Sequence, residues 1–157
     1  MSFLELLRSL FSIFKSGNPS GNIPSPRYEI KWEDINYYSS NQMLEIAIDN
    51  AKLSTVQNTN SMEPLIDVGH RIILSDSSKY LDNLNLGDII IWNQGRGDII
   101  HSIVEIGSDN LGTYYRTQGL YLNSKDPELI RKVSIKYVCL GVIWTKGEGY
   151  YTATNGD

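Results

Sequence analysis

Cysteine is nearly absent from the chain, whose 157 residues hold only Cys139. A lone thiol forms no intramolecular disulfide, and no Cys-x-x-Cys or Cys/His cluster stands beside it. A disulfide scaffold and a structural zinc site are therefore not expected, and Cys139 reads as a small core residue on a strand. Long apolar runs are missing too. No window of about 18 apolar residues occurs, so no membrane-spanning helix is expected and the sequence reads as soluble and cytoplasmic. Basic residues are outnumbered, 14 Lys and Arg against 18 Asp and Glu for a net charge of -4. None of them forms a long block, which argues against a nucleic-acid partner. There is no Gly-x-Gly-x-x-Gly nucleotide loop. Histidine is also scarce, with only His70 and His101.

What is present divides the chain into segments. The length suits one domain with appended segments, in which a single core buries about two-thirds of the surface the unfolded chain exposes. In residues 1–15, Phe3, Leu6, Leu7, Leu10, Phe11 and Phe14 recur at spacings of three and four. That period predicts an amphipathic helix. Glu5 and Arg8 interrupt it and no small-residue cleavage site follows, unlike a secretory signal. Its apolar face is expected to pack on its own domain or on an assembly partner; peripheral membrane contact is the other use. Residues 16–27, dense in Gly, Pro, Ser and Asn, read as a flexible linker. Residues 28–54 form a connecting segment. In it Tyr28 to Trp32 alternates like a short strand, and Asn41 to Ala51 is ambiguous between helix and strand. From 55 to 147 the chain shows short β-rich runs separated by turn signals: Arg71–Leu74, Asp88–Trp92, Ile99–Ile106, Tyr114–Thr117 and Tyr137–Thr145. These predict one mostly β domain, a partly closed barrel, with a tail at 148–157.

Two residues in this domain suit nucleophilic catalysis. Ser61 sits at a turn braced by Pro64, and His101 lies within the apolar run Ile99-Ile100-His101-Ser102-Ile103-Val104. A serine hydroxyl is a poor nucleophile at neutral pH and needs a neighbouring base to take its proton. Imidazole, with an ordinary pKa of about 6.5, accepts that proton without first being desolvated. Each residue also has a plain structural reading. Ser61 suits a polar turn, and His101 suits a strand position satisfied by a backbone carbonyl. His70, beside Gly69, reads as structural or exposed. Asp67 and Asp88 read as turn formers.

Ser61-Met62-Glu63-Pro64 resembles the Ser-Met-x-Pro nucleophile box of type I signal peptidases, and three further runs agree in order. Leu86-Gly87-Asp88-Ile89-Ile90-Ile91-Trp92 is similar to the family's Gly-Asp-apolar strand. Ile100-His101-Ser102-Ile103-Val104 is similar to the strand that carries the base. Thr117-Gln118-Gly119 through Asp126 is similar to the last box, Thr-Lys-Gly-Asp followed by Asn and a second Asp. The resemblance covers roughly the last two-thirds of the chain and implies a signal-peptidase/LexA-like fold. Lysine is the base in the bacterial branch and in LexA-like repressors, whereas the archaeal and endoplasmic-reticulum branch has histidine there. His101 places this chain with the second group. The resemblance implies Ser61 as nucleophile, His101 as base and Asp126, seven residues after Gly119, as the carboxylate that orients the imidazole. It also makes Thr59 and Met62, which flank the serine, candidate oxyanion and binding positions. Asp126, just before Pro127, alternatively reads as a turn or cap carboxylate.

Two departures bear on use. Leu120 stands where the family has Asp after the box glycine, and Ser102 stands where it has Arg after the histidine. The charged segment Gln42 to Lys52 also replaces the transmembrane helix that family members carry before the serine. Three functions follow. The first is a soluble serine endopeptidase that acts on an extended peptide, cutting a partner protein or itself with no metal or organic cofactor. The second is a catalytically relaxed or inactive module with a structural role, for example as a virion or large-complex component. A LexA-like regulator is the third, and it lacks both the lysine and a helix-turn-helix.

Overall fold

The computed structural model describes residues 23–26, 30–93, 95 and 97–145. The helix expected at 1–15, much of the 16–27 linker and the 148–157 tail lie outside these residues. Eight strands follow one another: β1 (Ile35–Tyr38), β2 (Met43–Ile46), β3 (Ala51–Thr55), β4 (Arg71–Ser75), β5 (Ile89–Asn93), β6 (Asp98–Asp109), β7 (Gly112–Gln118) and β8 (Ile135–Ile143). Among the described residues one short α-helix, α1 (Ser78–Leu81), is present and joins β4 to β5. The fold is mostly β, and every strand pairing is antiparallel.

β1 and β2 form a separate hairpin, and the other six strands form one sheet in the order β3-β4-β8-β5-β6-β7. β5 is central and reads Ile89-Ile90-Ile91-Trp92, with all four residues buried. Side chains alternate along a strand, so four consecutive buried positions require cover on both faces. Ile90 and Trp92 pack with Ile103, Val138 and Tyr80 of α1 in one core cluster. Ile89 and Ile91 pack with Met62, Ile66, Ile72 and Leu74 in the other. Each fully buried Ile or Leu contributes about 1.5–3 kcal/mol, so the doubly covered centre is the stable frame on which the site is built.

The sheet curls. β3 and β7 are its edges, yet the loops that follow them touch, where Tyr121 N–H donates to the Ser61 carbonyl at 3.0 Å. β3 and β7 do not pair with each other among the described residues, so the sheet stays open rather than closing into a barrel.

The structure corrects several expectations. Of the strand expected at Tyr28 to Trp32, residues 28 and 29 lie outside the described residues, and Ile30 to Trp32 are not strand; Trp32–Asp34 form a 3-10 turn, and β1 begins at Ile35. Asp34 explains this, since its carboxylate accepts the Lys31 N–H at 3.1 Å while its own N–H donates to the Lys31 carbonyl at 3.0 Å. This reciprocal bonding favours a helical turn over a ladder. The ambiguous Asn41 to Ala51 holds β2 and the start of β3, with Gln42 just before β2 and Asn50 just before β3 at φ angles of 55° and 52°. Such left-handed positions break a helix and suit turns. The sheet begins at Ala51, so β3 draws into the domain residues assigned to the connecting segment.

Part of the linker also packs. Gly87 has φ +91°, and a Cβ there would lie 2.1 Å from the Pro24 carbonyl oxygen. Gly87→Ala is therefore expected to cost about 1–3 kcal/mol, from strained backbone and displacement of residues 23–26. Urea titration reads this as a lower midpoint at unchanged slope. A midpoint equal to that of the parent would show that Pro24 does not seat on Gly87.

Candidate active site

The serine turn is built from both ends. Val56 N–H donates to His70 O at 3.1 Å and Gly69 N–H to Val56 O at 3.2 Å, closing the loop between β3 and β4. Inside it, Ile66 N–H donates to Met62 O at 3.0 Å. Met62 and Ile66 are 2% and 1% exposed and anchor the turn in the core. Asn60 takes φ 56°, a left-handed position that Asn tolerates better than most side chains, and so turns the chain immediately before Ser61. Ser61 stays half-buried, with its Oγ 3.5 Å from Thr59 Oγ1.

His101 lies on β6 opposite Ile90 of β5 and is buried. Its Nδ1 is 2.7 Å from Asp126 Oδ2. Asp126 is held there twice, because its N–H donates to the Thr117 carbonyl at 2.8 Å and the Thr117 hydroxyl donates to the same Oδ2 at 2.5 Å. Thr117 is fully buried, so its hydroxyl has no water to turn to. An ionised carboxylate only accepts, which assigns the proton of a neutral imidazole to Nδ1 and leaves Nε2 with its lone pair free. Nε2 faces Gly119. A Cβ placed on Gly119 would lie 3.0 Å from Nε2 and 2.5 Å from the Ser61 carbonyl oxygen. The bare glycine is thus the point at which the imidazole and the serine turn approach each other.

Ser61, Thr59 and His101 line one cavity of about 790 Å³. Ser54 and Thr55 of β3 wall one side and Asp98, Ile99 and Ile100 of β6 the other, with Ile72, Leu74 and Ile91 as an apolar floor. No lysine is among its described lining residues, so His101 is the base the cavity offers. Lys52 is instead engaged by Asp76 at 2.7 Å and the Tyr137 hydroxyl at 3.1 Å.

The structure therefore joins His101 to Asp126 and Thr59 to Ser61, and sets His101, Thr59 and Ser61 at one cavity, with Asp126 behind the imidazole. Among the described residues no hydrogen bond links Ser61 Oγ to His101. Met62 is corrected from binding position to core anchor, since its side chain belongs to the cluster beneath the serine turn. His70 lies apart from the cavity, its Nδ1 accepting the Asp67 N–H at 3.0 Å. Of the departures from the family pattern, Leu120 packs on the core cluster beneath the serine turn, and Ser102 is fully buried between Ile89 and Gln118. Two site residues named in the last box received no role of their own from sequence, Thr117 and Gly119. Their signal was a threonine at a strand position opposite Ile103 and a glycine two residues later.

Cys139 lies in the core cluster beneath the serine, and burial pushes its thiol up to about 11. In the unfolded chain the thiol ionises near its ordinary 9.0. Ionisation then favours the unfolded state, so this contribution to stability is intact below pH 9 and falls as pH rises toward 11, by about 1.4 kcal/mol per unit. A thiol reagent at pH 8 is expected to modify Cys139 only at the rate of unfolding and fully in denaturant. Rapid modification of the folded protein would contradict this burial.

Among the described residues no three His, Cys, Asp or Glu side chains gather as a metal site, and no helix is long and apolar enough to cross a membrane. In comparisons with known proteins the chain matches no family model, no curated protein and no solved structure.

Proposed function

We propose that the chain is a serine endopeptidase of the signal-peptidase-like type, working through an acyl-enzyme. The observation that carries this reading is the His101–Asp126 pair at 2.7 Å, with Ser61 on the wall of the same cavity. In this mechanism Ser61 Oγ attacks a peptide carbonyl and His101 Nε2 takes its proton. Asp126 holds the imidazole and stabilises its charged form. The Thr59 hydroxyl or the Ser61 N–H stabilises the oxyanion. The C–N bond then breaks as His101 returns the proton to the leaving amine, and water deacylates the serine by the reverse sequence. Catalytic hydrogen bonds commonly tighten only when substrate fills a site, which accommodates the open Ser61–His101 approach. The rolled six-stranded sheet fits the partly closed barrel that the resemblance implies. The edge of β3, which pairs with no strand but β4 among the described residues, suits an extended peptide substrate, from a partner protein or from the chain itself.

A second reading rests on the same open approach. Ser61 bonds to Thr59 rather than to the base, and Leu120 and Ser102 replace charged positions of the family pattern. Those features suit a relaxed module with an assembly role in a large complex such as a virion.

A fluorophosphonate probe separates the two. The expected result is one adduct on Ser61, absent from Ser61→Ala. A folded parent that takes no label while Ser61 remains open to solvent leaves only the assembly role.

A further inference from the structure

The cavity has a far end that the serine chemistry does not use. Asp98 begins β6 three residues before His101, about 10 Å away along the strand, and lines the same cavity. Apart from titratable His101, it is the one side chain among the described lining residues that carries a charge. The register fixes the face it occupies. Asp98 stands opposite Asn93 and Ile100 opposite Ile91, and all four line the cavity, so the carboxylate shares a face with the apolar floor.

Its bonding leaves capacity for a ligand. Asn93 Nδ2 donates to Asp98 Oδ1 at 2.6 Å, and Lys136 Nζ donates to the same oxygen at 2.7 Å. Asn93 is itself fixed, since its Oδ1 accepts the Gly95 N–H at 2.6 Å. Among the described residues no hydrogen bond reaches Asp98 Oδ2, although a carboxylate accepts at both oxygens. Lys136 does not close the site, because both members of that ion pair are about half exposed and such pairs contribute little. Lys136 and Asn93 hold the carboxyl below its ordinary range, so it is ionised at neutral pH. Gly97 adds room on the cavity wall, where a Cβ would meet nothing within 4 Å among the described residues. A lysine or arginine could lay its methylene stem on Ile72, Leu74 and Ile91 and bring its charged head to this carboxylate.

We propose that Asp98 is a specificity-determining residue, and that the cavity takes extended peptides with a lysine or arginine about three positions from the bond that Ser61 attacks. This substrate class rests on the peptidase reading above. The cation subsite itself rests on the cavity and the open Oδ2.

The test uses the full chain and two fluorophosphonates on the same eight-carbon tether, one ending in a primary ammonium and the other in a hydroxyl. Each phosphonylates Ser61 with loss of fluoride, so the ratio of their rates isolates the far end. The ammonium probe is expected to react about fivefold faster, the scale of one half-exposed ion pair, with the advantage fading in high salt. Asp98→Asn is expected to bring the ratio to one or below, and Lys136→Met, which removes the competing cation, to raise it. A ratio of one on the parent, one that survives Asp98→Asn, or one that falls in Lys136→Met overturns the proposal. A parent that neither probe labels removes the peptidase reading, and octylammonium then tests the subsite alone. Added to Ser61→Ala, it is expected to shift the amide resonances of Asn93, Asp98 and Ile100, and to leave them unmoved in Ser61→Ala/Asp98→Asn. Absence of those shifts, or their persistence without the carboxylate, overturns the subsite as well, so the two readings fail separately.

Discussion

Asp126→Asn is expected to slow acylation of Ser61 by about 10³–10⁴-fold while leaving the fold intact, the scale on which a triad responds to loss of its carboxylate. An asparagine fills the same volume and preserves the backbone bond from residue 126 N–H to the Thr117 carbonyl. What changes is the sign of the contact with His101. The carboxylate accepts from Nδ1 at 2.7 Å and so keeps the lone pair on Nε2, the nitrogen nearest Gly119 and the serine turn. An amide group can present an N–H to Nδ1, which moves the imidazole proton to Nε2 and leaves Ser61 facing a donor. The carboxylate also stabilises the imidazolium that forms as the proton transfers, and the amide does not. Labelling rate and thermal midpoint measured on the same preparations separate the roles. A large loss of rate at an unchanged midpoint marks a residue acting on His101, whereas an unchanged rate would reduce Asp126 to a turn carboxylate. Thr117→Val is the milder companion. It removes the hydroxyl that fixes Oδ2, at a cost of about 1–3 kcal/mol for the unsatisfied partner, and leaves the carboxylate in place.

The sequence carried the strands of the sheet well where hydrophobic pattern and position agreed. Ile89 to Trp92 reads as a strand because a run of four apolar residues between turns needs two covered faces, and β5 has them. The short β1 and β2 were harder. Their residues are mostly exposed, so no burial pattern marks them, and the left-handed Gln42 before β2 and Asn50 before β3 are invisible to a period count. β3 was likewise passed over, since Ala51 to Leu53 are exposed and its place in the sheet comes from pairing with β4 rather than from its own composition. At the site, His101 stood out by scarcity and Ser61 by its turn, whereas Asp126 came only from spacing in a resembling box. Thr117 escaped because a buried hydroxyl is recognised by its partner, and that partner lies nine residues away across a loop. Met62 was misplaced for a related reason: a residue beside a nucleophile in sequence points away from it when the turn is anchored by that side chain.

Gly119→Ala is expected to abolish serine reactivity to within about one part in a hundred of the parent, because the methyl group has nowhere to go. Its Cβ would stand 2.5 Å from the Ser61 carbonyl oxygen, 3.0 Å from His101 Nε2 and 3.0 Å from Leu122 Cδ1. The leucine can rotate away, but the Ser61 carbonyl belongs to a turn fixed by buried Met62 and Ile66, and the imidazole is held by Asp126. Relief therefore requires the 119–122 turn to lift, which strains the Tyr121 N–H to Ser61 carbonyl bond at 3.0 Å and separates serine from base. Misplacement by about 1 Å is enough for a hundredfold loss. The same overpacking costs about 1–3 kcal/mol of stability, so rate and unfolding midpoint are measured together. Leu122→Ala added to Gly119→Ala discriminates the causes. It removes the one contact that can yield, so if reactivity returns, the clash lay with the leucine; if it stays lost, the glycine is required where backbone and imidazole meet. An alanine variant with parental reactivity would mean that the Ser61 turn and His101 are not held as close as the structure has them, and would remove the geometric basis for treating the two as one site.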